Sequence, residues 1–120
     1  NARIVEMSPR AAARDGRRLR GRYMMTDQDV LQAHRQEGNC VRGWWPIERW
    51  DAGRGPSYAY PPIGEPYDIP LDAQRSAVID NLLAAGICVC ATANAAASIR
   101  ASGICLATGA AAGKMAASMV

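Results

Sequence analysis

The sequence predicts an α/β fold from three features. Residues 78–93, VIDNLLAAGICVCATA, form a nearly continuous apolar run of the kind a strand shows when both of its faces are covered. Residues 102–119 are rich in alanine, the strongest intrinsic helix former, and begin at Ser102-Gly103. Upstream, short β-type segments at 3–7 and 19–25 precede a helix signal at Thr26.

Arg3-Ile4-Val5-Glu6-Met7 is expected to be a short strand entering a Ser8-Pro9 turn, and residues 19–25 a second strand. Thr26 then opens a helix: its hydroxyl can accept from first-turn N–H groups, while Asp29, three residues on, suits the positive end of the dipole. Val30, Leu31 and Ala33 give this helix an apolar side, and Gly38-Asn39 is expected to end it. Trp44, Trp45, Ile47 and Trp50 form an aromatic centre expected to cover a core, with Pro46 confining the segment to a sheet edge. Residues 51–70 hold most of the prolines together with Gly53, Gly55 and Gly64, and read as a connection with short extended pieces. In the last helix, Gly109 and Gly113 each cost about 1 kcal/mol relative to alanine. Their spacing places both on one face, where a strand or cofactor is expected to approach closely.

At 120 residues and 49% hydrophobic content, the chain is large enough for one small domain and too apolar to be disordered throughout. The formal charge of +3 is uneven: seven arginines fall in the first 22 residues, and after Asp80 only Arg100 and Lys114 are charged. The arginine stretch passes into Tyr23-Met24-Met25 and does not form a solvated tail, so no nucleic-acid partner is expected. Cysteines at 40, 88, 90 and 105 with the single His34 lack zinc-site spacing, so no metal site is expected. Cys88 and Cys90, two apart in the expected strand, read as small buried hydrophobes on one side, which suits a reducing cytoplasm. The last twenty residues, interrupted by Lys114, do not read as a membrane span.

Four segments carry a further pattern: RRLRGRYMMTDQDVL at 17–31, GWWPIERWD at 43–51, PYDIPL at 66–71, and the tail. The tail combines Asn81-Leu82-Leu83, Ala85-Gly86, Ser98 with Arg100, Cys105, and the glycine and alanine run from Gly109 to Gly113. In this order they resemble the C-terminal part of the FAD-dependent oxidoreductase family, the flavoproteins with two dinucleotide-binding domains. The resemblance implies an FAD cofactor and a C-terminal fragment of an FAD-binding flavoprotein. In it, a remnant of the substrate domain with its connection (1–65) precedes the last strand and helix of the FAD domain (66–120). No G-x-G-x-x-G turn occurs, since Gly53-Arg54-Gly55 runs into Pro56 and no apolar strand leads in. With Asn1 in first place, the chain is expected to be a piece of a longer polypeptide. The rest of that flavoprotein or a partner chain would cover the apolar strand, with a small-molecule substrate and a homo-oligomer as further expectations.

Reduced flavin carries negative charge around N1 and the O2 carbonyl, which the unpaired N–H groups of a helix N-terminus can stabilise. The resemblance accordingly implies cofactor-binding roles for Gly86, Ile87, Ser98, Arg100, Ser102, Gly103 and Ile104. Arg18 and Arg100 are the candidates for catalytic contact with a substrate anion. By itself Arg100 has two readings: a cation facing the cofactor, or a partner for a surface carboxylate. The chain departs from the family pattern at Ile87, Cys90 and Asn94, where arginine, serine and histidine are common, and at Gln36 and Gly38, where phenylalanine and aspartate are. These departures remove polar anchors. The alternative expectation is therefore a flavoprotein tail without FAD that serves as a binding or assembly module.

Overall fold

The computed structural model describes Arg3, Val5, residues 15–37 and residues 40–119, with Cys40 described by its backbone alone. The expected strand at 3–7, its Ser8-Pro9 turn, and Gly38-Asn39 thus lie outside the described residues, apart from Arg3 and Val5. The elements are α1 (Asp27–Leu31), β1 (Cys40–Gly43), β2 (Ile47–Asp51), β3 (Gly55–Ala59), β4 (Tyr67–Pro70), α2 (Ala93–Ile99) and α3 (Ser102–Ala117). Single 3-10 turns stand at Leu71–Ala73 and Gly86–Cys88. The architecture is a small mixed α/β one: β1 pairs antiparallel with β4, β2 pairs antiparallel with β3, and the two long C-terminal helical segments follow.

Thr26 opens α1 as its chemistry requires. Its hydroxyl accepts from the Asp29 N–H while the Asp29 carboxylate accepts from the Thr26 N–H at 2.7 Å, which is a complete capping box. The helix is shorter than expected, ending at Leu31. Ala33 takes the left-handed conformation with φ 48, its N–H returns to Val30 O, and the His34 N–H reaches back to Asp29 O at 2.9 Å. This six-to-one and five-to-two closure terminates the helix before Gly38 can.

The apolar run at 82–91 does not form the expected strand. Gly86, with φ +61, leads into the 3-10 turn and breaks the extended course, leaving isolated bridges of Leu83 with Arg75 and of Ala91 with Met25. The segment instead threads between two others: Leu19 N donates to Cys88 O, Met25 N to Cys90 O, and Cys90 N to Ala73 O. The expected strand at 19–25 is likewise reduced to bridges at Gly21 and Met25. Gly21 is required there, because a Cβ would sit 2.6 Å from that of Cys90. Val89, Cys90 and Ala91 are buried, whereas Leu82, Ile87 and Cys88 are exposed, so the run is not covered on both faces and the two cysteines do not share one buried side.

The core gathers Met25, Val30, Val41, Ile47, Tyr67, Ile69, Val89, Ala95, Ile99 and Ile104. Its aromatic residue is Tyr67, and the tryptophans expected to cover it stand out instead: Trp44, Trp45 and Trp50 are 57, 47 and 60% exposed. Of the strand or cofactor expected beside Gly109 and Gly113, no strand among the described residues comes close. A Cβ at either would meet nothing within 4 Å, so neither receives a close neighbour.

Candidate functional site

The site is built at the junction of the two C-terminal helices. Thr92 caps α2 by accepting from the Ala95 N–H, and the helix runs out at Arg100. Ala101, with ψ 137, turns the chain so that α2 and α3 meet at 92°. Ala101 is the N-cap of α3 and provides no side-chain acceptor, so the first turn of a 16-residue helix keeps its N–H groups without a side-chain cap. That turn opens onto a cavity of about 840 Å³ lined by Ile87, Arg100, Ser102, Gly103 and Ile104. Trp44, Trp45, Arg42 and Glu48 complete its wall from the β side.

Five of the seven residues expected to hold a cofactor are therefore brought to one surface. Ser98 and Gly86 are not among the cavity's lining residues. The Ser98 hydroxyl is fully buried, donates to the Trp45 carbonyl and lies 2.6 Å from the Tyr67 hydroxyl. Because its one proton goes to Trp45, Tyr67 must donate to it. Burial pushes the Tyr67 phenol up to about 12, with the Ser98 contact pulling the other way. Gly86 has a conformational role: its φ of +61 suits glycine, its N–H donates to Thr108 Oγ1 at 3.0 Å, and its side-chain direction points at Cys105. Burial also raises the Cys105 thiol, which keeps it protonated at neutral pH.

Arg100 has a carboxylate partner, as one of its two readings expects, and it also lines the larger cavity. Its guanidinium pairs with Glu48 at 3.3 Å, both side chains being about one-seventh exposed, and the pair forms a wall of the cavity. Glu48 is held from its other oxygen by the Trp50 indole N–H at 2.9 Å. Across the same pair lies a smaller cavity of about 350 Å³ that adds Asp15, Trp50, Ala93, Ala96 and Ala97. Arg18 is outside both linings and forms an ion pair with Asp15. The Gly16 N–H and then the Arg18 guanidinium hold the Asp15 carboxyl below its ordinary range. Asn94 is half-buried in the first turn of α2.

Trp44, Trp45, Arg42 and Glu48 are the site residues that sequence reasoning missed. One signal was available: adjacent residues of an extended chain point to opposite sides, so Trp44 and Trp45 cannot both cover one core. Gly43, just before them, lies against the Tyr67 ring, where a Cβ would approach Cζ to 2.4 Å. This places the tryptophan pair at the edge of the packed interior.

The donors on the cavity wall suit a flat ring with an anionic or carbonyl-bearing edge. The uncapped N–H groups of Ser102, Gly103 and Ile104 and the Ser102 hydroxyl offer hydrogen bonds, Arg100 supplies charge, and the space beside Gly103 is open. Among the described residues no group of three or more metal-ligating side chains occurs, and no single helix is long and apolar enough to cross a membrane. The family model of the FAD dependent oxidoreductases matches residues 1–120. No curated protein and no solved structure matches the chain.

Proposed function

The chain belongs to the FAD-dependent oxidoreductase family, and we propose that it contributes the part of such an enzyme that faces the flavin pyrimidine. The observation that carries this reading is the common wall shared by Arg100 and the uncapped first turn of α3. In this reading the N–H groups of Ser102, Gly103 and Ile104 hold the acceptor edge of the ring, and Ile87 packs beside it. Arg100 remains tethered by Glu48, which fixes its direction and limits how much of its charge reaches the ring. FAD, when bound, supplies the hydride or electron transfer, while the protein's part is to bind, orient and bias charge.

The division into a substrate-domain part (1–65) and an FAD-domain part (66–120) belongs to the same reading. So do a small-molecule substrate, a cytoplasmic location, and a remainder of the flavoprotein or a partner chain that completes the site. With no glycine-rich pyrophosphate turn among these residues, the 120-residue chain alone is expected to bind FAD weakly and to purify colourless. An assembly role without FAD is the second reading. The exposed aromatic and aliphatic side chains of Trp50, Tyr58, Tyr60 and Ile63 around β2 and β3 favour it.

Lumiflavin, which has the ring without the phosphates, tests the first reading. Its fluorescence should be quenched saturably by the chain, and Gly103→Glu, which places a carboxylate in open space at the α3 turn, should weaken that binding by about tenfold or more. Absent or non-saturable quenching, or equal binding by Gly103→Glu, would favour the assembly role.

A further inference from the structure

The two cavities share a wall made of Arg100 and Glu48, whose opposite charges largely offset each other, so the remaining charged group in each decides its sign. In the smaller cavity that group is Asp15, and in the larger it is Arg42. Arg42 lines the larger cavity and is positioned there without being used up. Its Nε lies 3.8 Å from Asp68 Oδ1, beyond hydrogen-bonding distance, and its side chain is 61% exposed. Asp68 itself is buried, and its other oxygen is taken by Arg35 Nε at 3.2 Å and by the Gln36 N–H at 3.1 Å. Its Oδ1 has no hydrogen-bond partner and attracts Arg42 by charge alone. Among the described residues, the Arg42 side chain donates no hydrogen bond, so its planar set of donors remains available.

We infer that Arg42 is the specificity-determining residue of the larger cavity and selects an aromatic substrate bearing a carboxylate or a comparable anionic group. The inference rests on reading this cavity as one that holds the flavin edge against the α3 turn and leaves the side of Arg42 and the tryptophans for a substrate. Trp44 and Trp45 line the same cavity and offer flat apolar surface to an aromatic body. Arg42 offers two parallel N–H donors to the carboxylate, a geometry that an ammonium group would not match. The lining carries two guanidinium groups against one carboxylate, and the positive end of α3 adds to the excess. Arg100 is a weaker candidate for this anion because Glu48 already occupies it. Arg18 is weaker still, being paired with Asp15 away from the cavity.

Calorimetric titration of the 120-residue chain with 2-naphthoate and with its neutral amide tests the assignment, with lumiflavin titrated in parallel. Naphthoate should bind more tightly than the amide, and Arg42→Gln should weaken naphthoate by about tenfold or more while leaving the amide unchanged. Arg42→Lys should recover only part of the loss, and far-ultraviolet circular dichroism should show both variants folded. The inference is overturned if naphthoate does not bind, if the amide binds equally well, or if Arg100→Gln abolishes naphthoate binding while Arg42→Gln does not. Lumiflavin separates this from the functional reading: lumiflavin binding without naphthoate binding sinks the role of Arg42 alone, whereas naphthoate binding with no lumiflavin binding sinks the flavin assignment and reduces Arg42 from a substrate selector to an anion anchor.

Discussion

Two polar links tie the end of α2 to the β segment, and they differ in almost every physical respect. The first joins Tyr67, Ser98 and the Trp45 carbonyl through neutral groups, with Tyr67 and Ser98 wholly buried. The second, two residues further along, joins Arg100 to Glu48 through full charges at the rim of two cavities. A neutral network is inexpensive to bury when every donor finds an acceptor, and it fixes position in doing so. A charged pair is better kept where water or a ligand can reach it, because complete burial costs more than the attraction returns. The same helix end thus separates holding the fold from presenting charge.

The strongest test of that contrast is alkaline pH. The Tyr67 phenol stands at about 12 in the fold against an ordinary value of 10, so the folded state favours the protonated form. This contribution is complete below about pH 10 and is lost as pH rises through the folded value, a gap worth roughly 3 kcal/mol. Thermal melts from pH 9 to 12 should show that loss in the parent chain and a flatter response in Tyr67→Phe. Equal slopes would mean that the buried link does not hold the ring. At neutral pH, Ser98→Ala should lower stability by about 1 to 3 kcal/mol, since the Tyr67 hydroxyl and the Trp45 carbonyl both lose their partner. Urea unfolding measures this, and a change below about 0.5 kcal/mol would show that the network contributes little.

A third cluster, at the N-terminus of α1, sharpens the comparison. Burial pushes the Asp29 carboxyl up, but bonds from the Thr26 N–H and hydroxyl, the Tyr23 hydroxyl and His34 Nδ1 outweigh it and hold the group below its ordinary range. A depressed carboxylate contributes stability that is complete above the unfolded value, about 4, and is lost as pH falls through the folded value. Asp29→Asn should therefore cost about 1 to 2 kcal/mol at pH 7 and converge on the parent in acid. Parallel curves down to pH 2 would contradict this. The smallest effect on stability is expected for Arg100→Gln, about 1 kcal/mol, because water in the cavities can solvate the Glu48 carboxylate left behind. A loss of several kcal/mol in the melt would place this pair with the buried link and remove the contrast.

The parts of the molecule legible in the sequence are those whose causes lie within a few residues. Thr26 and Asp29 specify a capping box by their spacing alone, and the alanine-rich stretch after Ser102 makes α3 on intrinsic preference. The family pattern likewise drew Ile87, Arg100, Ser102, Gly103 and Ile104 into one candidate set, and they share one cavity. The apolar run at 82–91 was misread because hydrophobicity reports a demand for burial without naming the geometry that meets it. Gly86 broke the run, and the segments at 19–25 and 73 supplied its backbone partners. Only the tertiary structure could place the tryptophans at the surface, pair Arg100 with Glu48, and leave Arg42 held by Asp68 yet open to a ligand. Those outcomes join residues as far apart in sequence as Trp45 and Ser98, a separation of 53. Over such a distance local preference carries no information, and packing, charge and the satisfaction of buried donors decide which side chains meet.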